Sequence, residues 1–399
     1  MSVYVWRKQA FGFGKESVAG TAIAPTVWIP KTGWVLTPTF ESATDDSGFG
    51  RIEEVYDTET TKSMAEANIN GILRDDFAGH LFNATLGSHV SVVALTGTTA
   101  GTPARWEIVY QGANFGAATW TGVLRKVTTI TWPVTLYRVS TTTGTLLNAT
   151  SIKKSDDAWT LASVDITTYE AAKGHYFSVL QTNSHPTYTL YSSDPITDQR
   201  AAYGMVNTFS FQVEVGDYAK FESQWMAKKM ETTTAQTPAY TENNPFLAKN
   251  ANVRFGTAEA DLNGATASCV QNFNLSIEKN LTDIQCFGSD NIDSLHNQQL
   301  TVSWDMEALF ENVTLLDYVK NSSKKACRLE LINTGATAIV TGVYPTIMVD
   351  MLRVGFTERS QTDDQNGIVK QTLGFQGTYS PDDSATIEIL LINDETTAY

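Results

Sequence analysis

The chain has 399 residues, with 43 Asp plus Glu against 28 Lys plus Arg and a formal net charge of −15. That balance excludes a protein that grips the outside of nucleic acid, which needs a cationic surface to displace counterions. It is compatible with a passage through which a polyanion slides without adhering. Three cysteines (Cys269, Cys286 and Cys327) in no CxxC spacing exclude a disulfide framework and a structural zinc site. With no signal-peptide core and no apolar run of spanning length, the expectation is a soluble chain made in a reducing cytoplasm, without a membrane.

Residues 1–34 are aromatic, contain glycine and are broken by Pro25 and Pro30, so they read as an extended arm with little core of its own. Val35–Glu41 reads as a strand. Ser42–Thr61 follows with Asp45, Asp46, Glu53, Glu54, Asp57 and Glu59, too polar for core and therefore a projecting hairpin loop. Lys62–Leu73 alternates as a second strand. Asp75–Leu86 reads as a helix, with acids at its favoured N-terminal end, an apolar stripe of Phe77, Leu81 and Phe82 or Leu86, and Gly87 as the stop.

From about Leu95 to Asp198 the composition turns to Thr, Ser, Trp and Tyr, and short strand patterns recur: Trp106–Gln111, Val127–Val134, Thr135–Ser140, Thr160–Ile166, Tyr176–Leu180 and Thr187–Tyr191. Many short strands at such spacing predict a β-sandwich, placed as an insertion. Val206–Val215 then alternates cleanly, turns at Gly216-Asp217, and returns along Ala219–Met230. Glu231–Asn244 reads as a linker.

The second half repeats the first. Val270–Glu278 is a strand, Lys279–His296 a polar loop with Asp283, Asp290 and Asp293, Gln299–Ala308 a strand and Glu311–Val319 a helix. Val349–Phe356, a polar turn over 357–367, and Ile368–Tyr379 form the return hairpin. Val35 and Phe40 match Val270 and Leu275, and Ala65, Ala67, Ile69 and Gly71 match Leu300, Val302, Trp304 and Met306, at one spacing of 235 residues. A repeat of this size means two related domains. Phe211 and Phe356 are only 145 apart. About ninety extra residues therefore sit between the helix and the return hairpin of the first unit, as expected for the insertion. The predicted fold is mainly β: an arm at 1–34, a first unit at 35–94 plus 199–235, an inserted β-sandwich at 95–198 and a second unit at 236–399, with one short helix per unit.

Signals for chemistry are thin. The five histidines show no metal-ligating spacing, the Phe11–Ser17 stretch lacks phosphate-loop spacing, and no carboxylate pair stands out as acid and base. No catalytic, cofactor or metal residue is expected. Trp120, Trp132, Tyr188 and Tyr191 in the insert are candidates for stacking on a sugar, although core packing is the default for such rings.

The segments Lys15–Gly87 and Val270–Leu295, followed by the Trp304–Tyr318 strand and helix, resemble the tail tube proteins of long-tailed bacteriophages. Gly112–Asp194 separately resembles jelly-roll decoration modules, some of which bind carbohydrate. The resemblance implies a virion protein, assembled in the host cytoplasm, whose strands join a shared barrel. Three two-unit chains would make one pseudo-sixfold ring, and rings would stack into a tube. Implied partners are other copies, a tape measure protein, a tail terminator and distal tail proteins, with DNA passing through the lumen unbound. Candidates for ring stacking or for the lumen are the loop acids above together with Glu214, Asp217, Glu358, Asp363 and Asp364. The alternative is a virion decoration or adhesion protein working through the carbohydrate-binding-like insert.

Overall fold

The structure is a computed structural model; it describes every residue except 1–4, 48, 130–134, 169, 184, 242, 312, 362–367 and 397–398. Its centre is one antiparallel sheet to which each half contributes four strands. In spatial order these are Lys31–Asp45, Asp57–Ile72, Lys220–Lys228 and Asp198–Glu214, then Val270–Glu278, Thr301–Leu309, Lys370–Gly377 and Thr346–Gln361. Alternation sorts the side chains. Leu36, Ala67, Ile69, Phe209, Phe211, Trp225, Leu275, Trp304 and Phe375 turn inward and are buried, whereas Asn70, Glu222, Ser210, Ser276, Ser303 and Gln376 line the opposite face. Burying a side chain such as Phe209 contributes about 1.5–3 kcal/mol.

The ladders of the two halves match strand by strand. The first pair of each unit has a bulge at its start, at Thr32 and at Gln271. The return hairpin has another, at Asn207 and at Thr357. Aligning the bulges makes Leu36 equivalent to Leu275, Ala67 to Trp304, Trp225 to Phe375 and Val206 to Phe356. The constant spacing in sequence was therefore slipped: it matched Leu275 with Phe40 and Ala67 with Val302. Both slips are by an even number of residues, which leaves every side chain on its face and so cannot be detected from alternation.

A second layer closes the core. It contains Ala251–Gly256, Lys325–Ile332, the first half of Thr346–Gln361, Ile387–Asn393, Lys173–Val179 and the start of Gly87–Ala100, paired in that order. The N-terminal segment is no loose arm. Ala10–Lys15 is a strand paired with Tyr188–Ser193, and Phe11 and Phe13 are fully buried. Each aromatic side chain there packs edge-on or tilted against another: Phe13 meets Tyr188, Trp225 and His80.

The inserted unit is shorter than expected. The end of Gly87–Ala100 and strands Ile108–Gly112, Ala118–Thr129, Thr135–Gly144, Ile152–Lys154 and Thr160–Asp165 pair in a closed ring of six. Closure removes free edges. Leu95, Val109, Trp120, Leu124, Val139, Trp159 and Leu161 fill this small barrel as a core of its own. Lys173–Val179 and Tyr188–Ser193, expected inside the insert, pair instead with the body. Their aromatics, Phe177 and Tyr188, belong to the main core, and long-range packing of this kind has no local sequence signature.

The first helix, Ala78–Leu86, is buried almost entirely and ends at Gly87 with φ 86°. Its last carbonyls carry partial negative charge. Lys279 of the second unit reaches across and donates to the Ala84 carbonyl at 2.9 Å. Among the described residues no carboxylate pairs with this lysine, and burial lowers its pKa to about 7. The second helix, Thr314–Lys320, is one turn shorter at its start than expected, and only Leu315 on it is buried.

Candidate functional site

The polar face of the central sheet is a broad surface not consumed by the molecule's own core. Across the ladder it reads Asn68, Gln224 and Thr208, then Asn70, Glu222, Ser210, Ser276 and Ser303, then Gln212, Asn274 and Asp305. Amides and hydroxyls dominate. Acids are Glu66, Glu222, Glu278, Asp305 and Glu307, and the cations are few, with Lys370 held by Glu307 at 2.8 Å. A shallow groove of about 770 Å³ runs along it between Asn70, Gln212 and Asn274. Such a surface offers hydrogen bonds to water and a weak negative potential, but no converging set of groups for chemistry. Among the described residues no cluster of three or more His, Cys, Asp and Glu could hold a metal.

Both ends of the sheet are open. Among the described residues, Lys31–Asp45 has Asp57–Ile72 as its one strand partner, and residues 355–361 have Lys370–Gly377 on one side. An unpaired edge of this length is a template for a further strand.

The projecting loop of the first unit is a hairpin rather than an open loop. Its strands continue past the sheet until Asp45 faces Asp57 and Ala43 faces Glu59. Asp46, Glu53 and Glu54 lie exposed in the connecting turn. The bonds that Asp45 accepts from Ser47 hold its carboxyl below the usual range. The acids are legible in the sequence and the apolar tip is not: Phe49 and Tyr56 pack at a tilt with centroids 4.1 Å apart, and Ile52 and Val55 in the same turn are exposed.

The corresponding loop of the second unit does not project freely. Its short hairpin, Thr282–Ile284 with Ser294–His296, lies against the first unit. Asp283 pairs with Lys62 at 2.8 Å and Asp290 with Lys229 at 2.7 Å, while Ser63 donates to the Asp290 carbonyl at 2.6 Å. Two of its three acids are therefore committed within the chain; Asp293 and the fully exposed Phe287 remain outward. Glu214 and Asp217 sit at the exposed turn of the first return hairpin, where Asp217 pairs with Lys220. Glu358 is exposed opposite Gly374 on the open end strand. Asp363, Asp364 and Trp132 lie outside the described residues.

Three of the sugar-stacking candidates are covered by protein. Trp120 is buried in the small barrel with its indole N–H on Thr141 at 3.1 Å, and Tyr188 and Tyr191 are buried in the body. A ring whose faces are covered by protein cannot stack on a ligand.

Two clusters were invisible in the sequence. Tyr399 is seated among His80, His89 and His175, with ring centroids 4.9, 5.7 and 4.7 Å away. At the seam between the small barrel and the second unit, Lys126 and Arg328 converge on Asp350 and Glu259. Arg328 holds Asp350 by two bonds of 2.6 and 3.1 Å and Glu259 by one of 3.1 Å. Lys126 touches Asp350 and lies 3.4 Å from Glu259.

A family model described as a phage tail tube protein matches residues 6–377. No curated protein matches the chain.

Proposed function

Because the chain belongs to the phage tail tube protein family, we propose that it is a structural subunit of a virion tail. It polymerises with itself into a hollow tube whose lumen is lined by the polar face of the central sheet. The observation that carries this reading is the sheet itself: two matching four-strand modules in one chain, with an open edge at each end. Three copies joined edge to edge supply six modules and leave no free edge in the ring. A head-to-tail contact along the axis does not close and yields a filament. The exposed hairpin of residues 42–61, with its apolar tip, is the device suited to that contact. Other tail proteins, a tape measure, a terminator and distal components, would meet the tube inside and at its ends.

The lumen chemistry follows from the face. Amides and hydroxyls keep a water film, and the carboxylates of Glu66, Glu222 and Asp305 repel phosphate. The genome therefore slides during ejection without the cationic contacts that would hold it. The small barrel hangs from strands of the second layer, across the core from the polar face, which favours the outer wall. With Trp120, Tyr188 and Tyr191 buried, the described residues give no support to glycan binding over plain decoration.

Negative-stain electron microscopy of the purified full chain tests the function: rings or hollow filaments of constant bore are expected, and monodisperse single particles at high concentration would refute it. Replacing residues 97–168 with a short Gly-Ser bridge should still give filaments, thinner outside and with the same bore. Removing 95–198 instead should leave insoluble protein, because that cut takes Phe177 and Tyr188 out of the main core.

A further inference from the structure

We propose that neighbouring copies join in one register, with Ser360 of one copy opposite Thr37 of the next, Arg359 opposite Pro38 and Gln361 opposite Leu36. The inference rests on the ring assembly just proposed and fixes its contact residue by residue.

The chain holds its own template for this contact. Where its two modules meet, Phe209 faces Ile277, Ser210 faces Ser276 and Phe211 faces Leu275. The bulge alignment makes Phe209, Ser210 and Phe211 equivalent to Arg359, Ser360 and Gln361. It makes Leu275, Ser276 and Ile277 equivalent to Leu36, Thr37 and Pro38. Among the described residues, the outer sides of 355–361 and of 33–45 have no strand partner. A second copy of the chain therefore presents to each edge the same kind of strand that the edge meets inside the molecule.

The departures from the template explain why the free chain does not pair promiscuously. Phe209 and Phe211 are buried, but their equivalents at the open end are Arg359 and Gln361. Arg359 donates to Gln371 at 3.3 Å and lies over the Phe310 ring. Polar and charged side chains protect an exposed edge. Pro38 acts on the other edge. Inside the chain, the Lys279 N–H and the Gln271 carbonyl both bond toward the Asp198–Glu214 strand, so residue 277 points the same way. Pro38, its equivalent, turns toward the neighbour with a carbonyl and no N–H. It accepts from Arg359 and leaves the Arg359 carbonyl one ladder donor short of the template, a departure that weakens pairing on this edge in every register, as prolines on edge strands do.

Cysteine pairs in the full chain test the register, in a Cys269→Ser, Cys286→Ser background that removes the exposed thiols. Ser360→Cys with Thr37→Cys should shift the non-reducing band from monomer to dimer and then to trimer, with nothing larger, because opposed β carbons lie within disulfide reach. Ser210→Cys with Ser276→Cys should bridge within one chain and stay monomeric. Ser360→Cys with Thr39→Cys, or with Val35→Cys, should give little product. Stronger bridging by a shifted pair, or none while micrographs of the same sample contain tubes, overturns the register and leaves the tube intact. Absence of both bridge and tube sinks the two readings together.

Discussion

Asp350→Leu should destabilise the folded chain by about 3–5 kcal/mol, read as a shift in the midpoint of urea unfolding. Asp350 is completely buried and accepts from Arg328 and from Lys126. Without it, two buried cations share Glu259, with Asn263 at 2.6 Å from Arg328 as a neutral acceptor. An unpaired buried charge costs far more than the pair contributes, and this asymmetry makes the predicted loss large. Lys126→Met should cost less, because Asp350 and Glu259 both keep Arg328. A loss below about 1 kcal/mol for Asp350→Leu would mean that water already fills the seam. Lys126 belongs to the small barrel and its carboxylates to the second unit. Arg105 adds a bond to Glu388, and Asn263 donates to the Val127 carbonyl at 2.9 Å. The inserted barrel is therefore clamped to the body rather than hung on a flexible tether.

That clamp marks the limit of what the sequence discloses. Alternation along Val206–Val215 and Val270–Glu278 exposed the sheet strands and their inward faces, since period-two burial is written locally. The end of the first helix was equally legible from its stripe and from Gly87, but the helix begins at Ala78 rather than Asp75, so the acids expected in its first turn precede it. Spacing in the repeat was read to within an even slip, because faces survive such a slip and register does not; only the paired bulges at Thr32 and Gln271 settle it. The membership of Tyr188 and Phe177 was illegible. A Thr-rich strand with an aromatic looks the same whether it closes a small barrel or covers the main core. The acids of the second loop were read as outward groups, and Asp283 and Asp290 turned out to have found Lys62 and Lys229 across the chain. Isolated acids and lysines carry no mark of which partner lies within reach after folding.

The histidines, scattered in sequence, give the second large effect: the chain should lose stability steeply between pH 6.5 and 5, above the range in which ordinary carboxylates titrate. His175 Nε2 meets the Glu395 carbonyl at 3.1 Å and so carries its proton there, which leaves Nδ1 to accept from His89 Nε2, also at 3.1 Å. His80 lies edge-on to Phe13 and Tyr399, and its Nδ1 has no hydrogen-bond partner among the described residues. Burial is the main cause that lowers these groups, His80 to about 4 and His89 to about 3, with His185 beside Gly87 also at about 4. The unfolded chain takes up protons first as pH falls below 6.5, so stability is lost on acidification until the folded values are reached. At about 1.4 kcal/mol per pH unit, His80 alone accounts for roughly 2 kcal/mol between pH 7 and 5. His89 and His185 add smaller amounts, because solvent reaches part of each ring. Asp75 works in the opposite sense: burial raises its pKa, so its protonation favours the folded chain. His80→Phe keeps the edge-on packing and removes the proton site; its urea midpoint should fall less between pH 7 and 5 than that of the parent. Equal slopes for the two proteins would show that the cluster around Tyr399 takes up its protons without cost, and that the acid response comes from elsewhere in the fold.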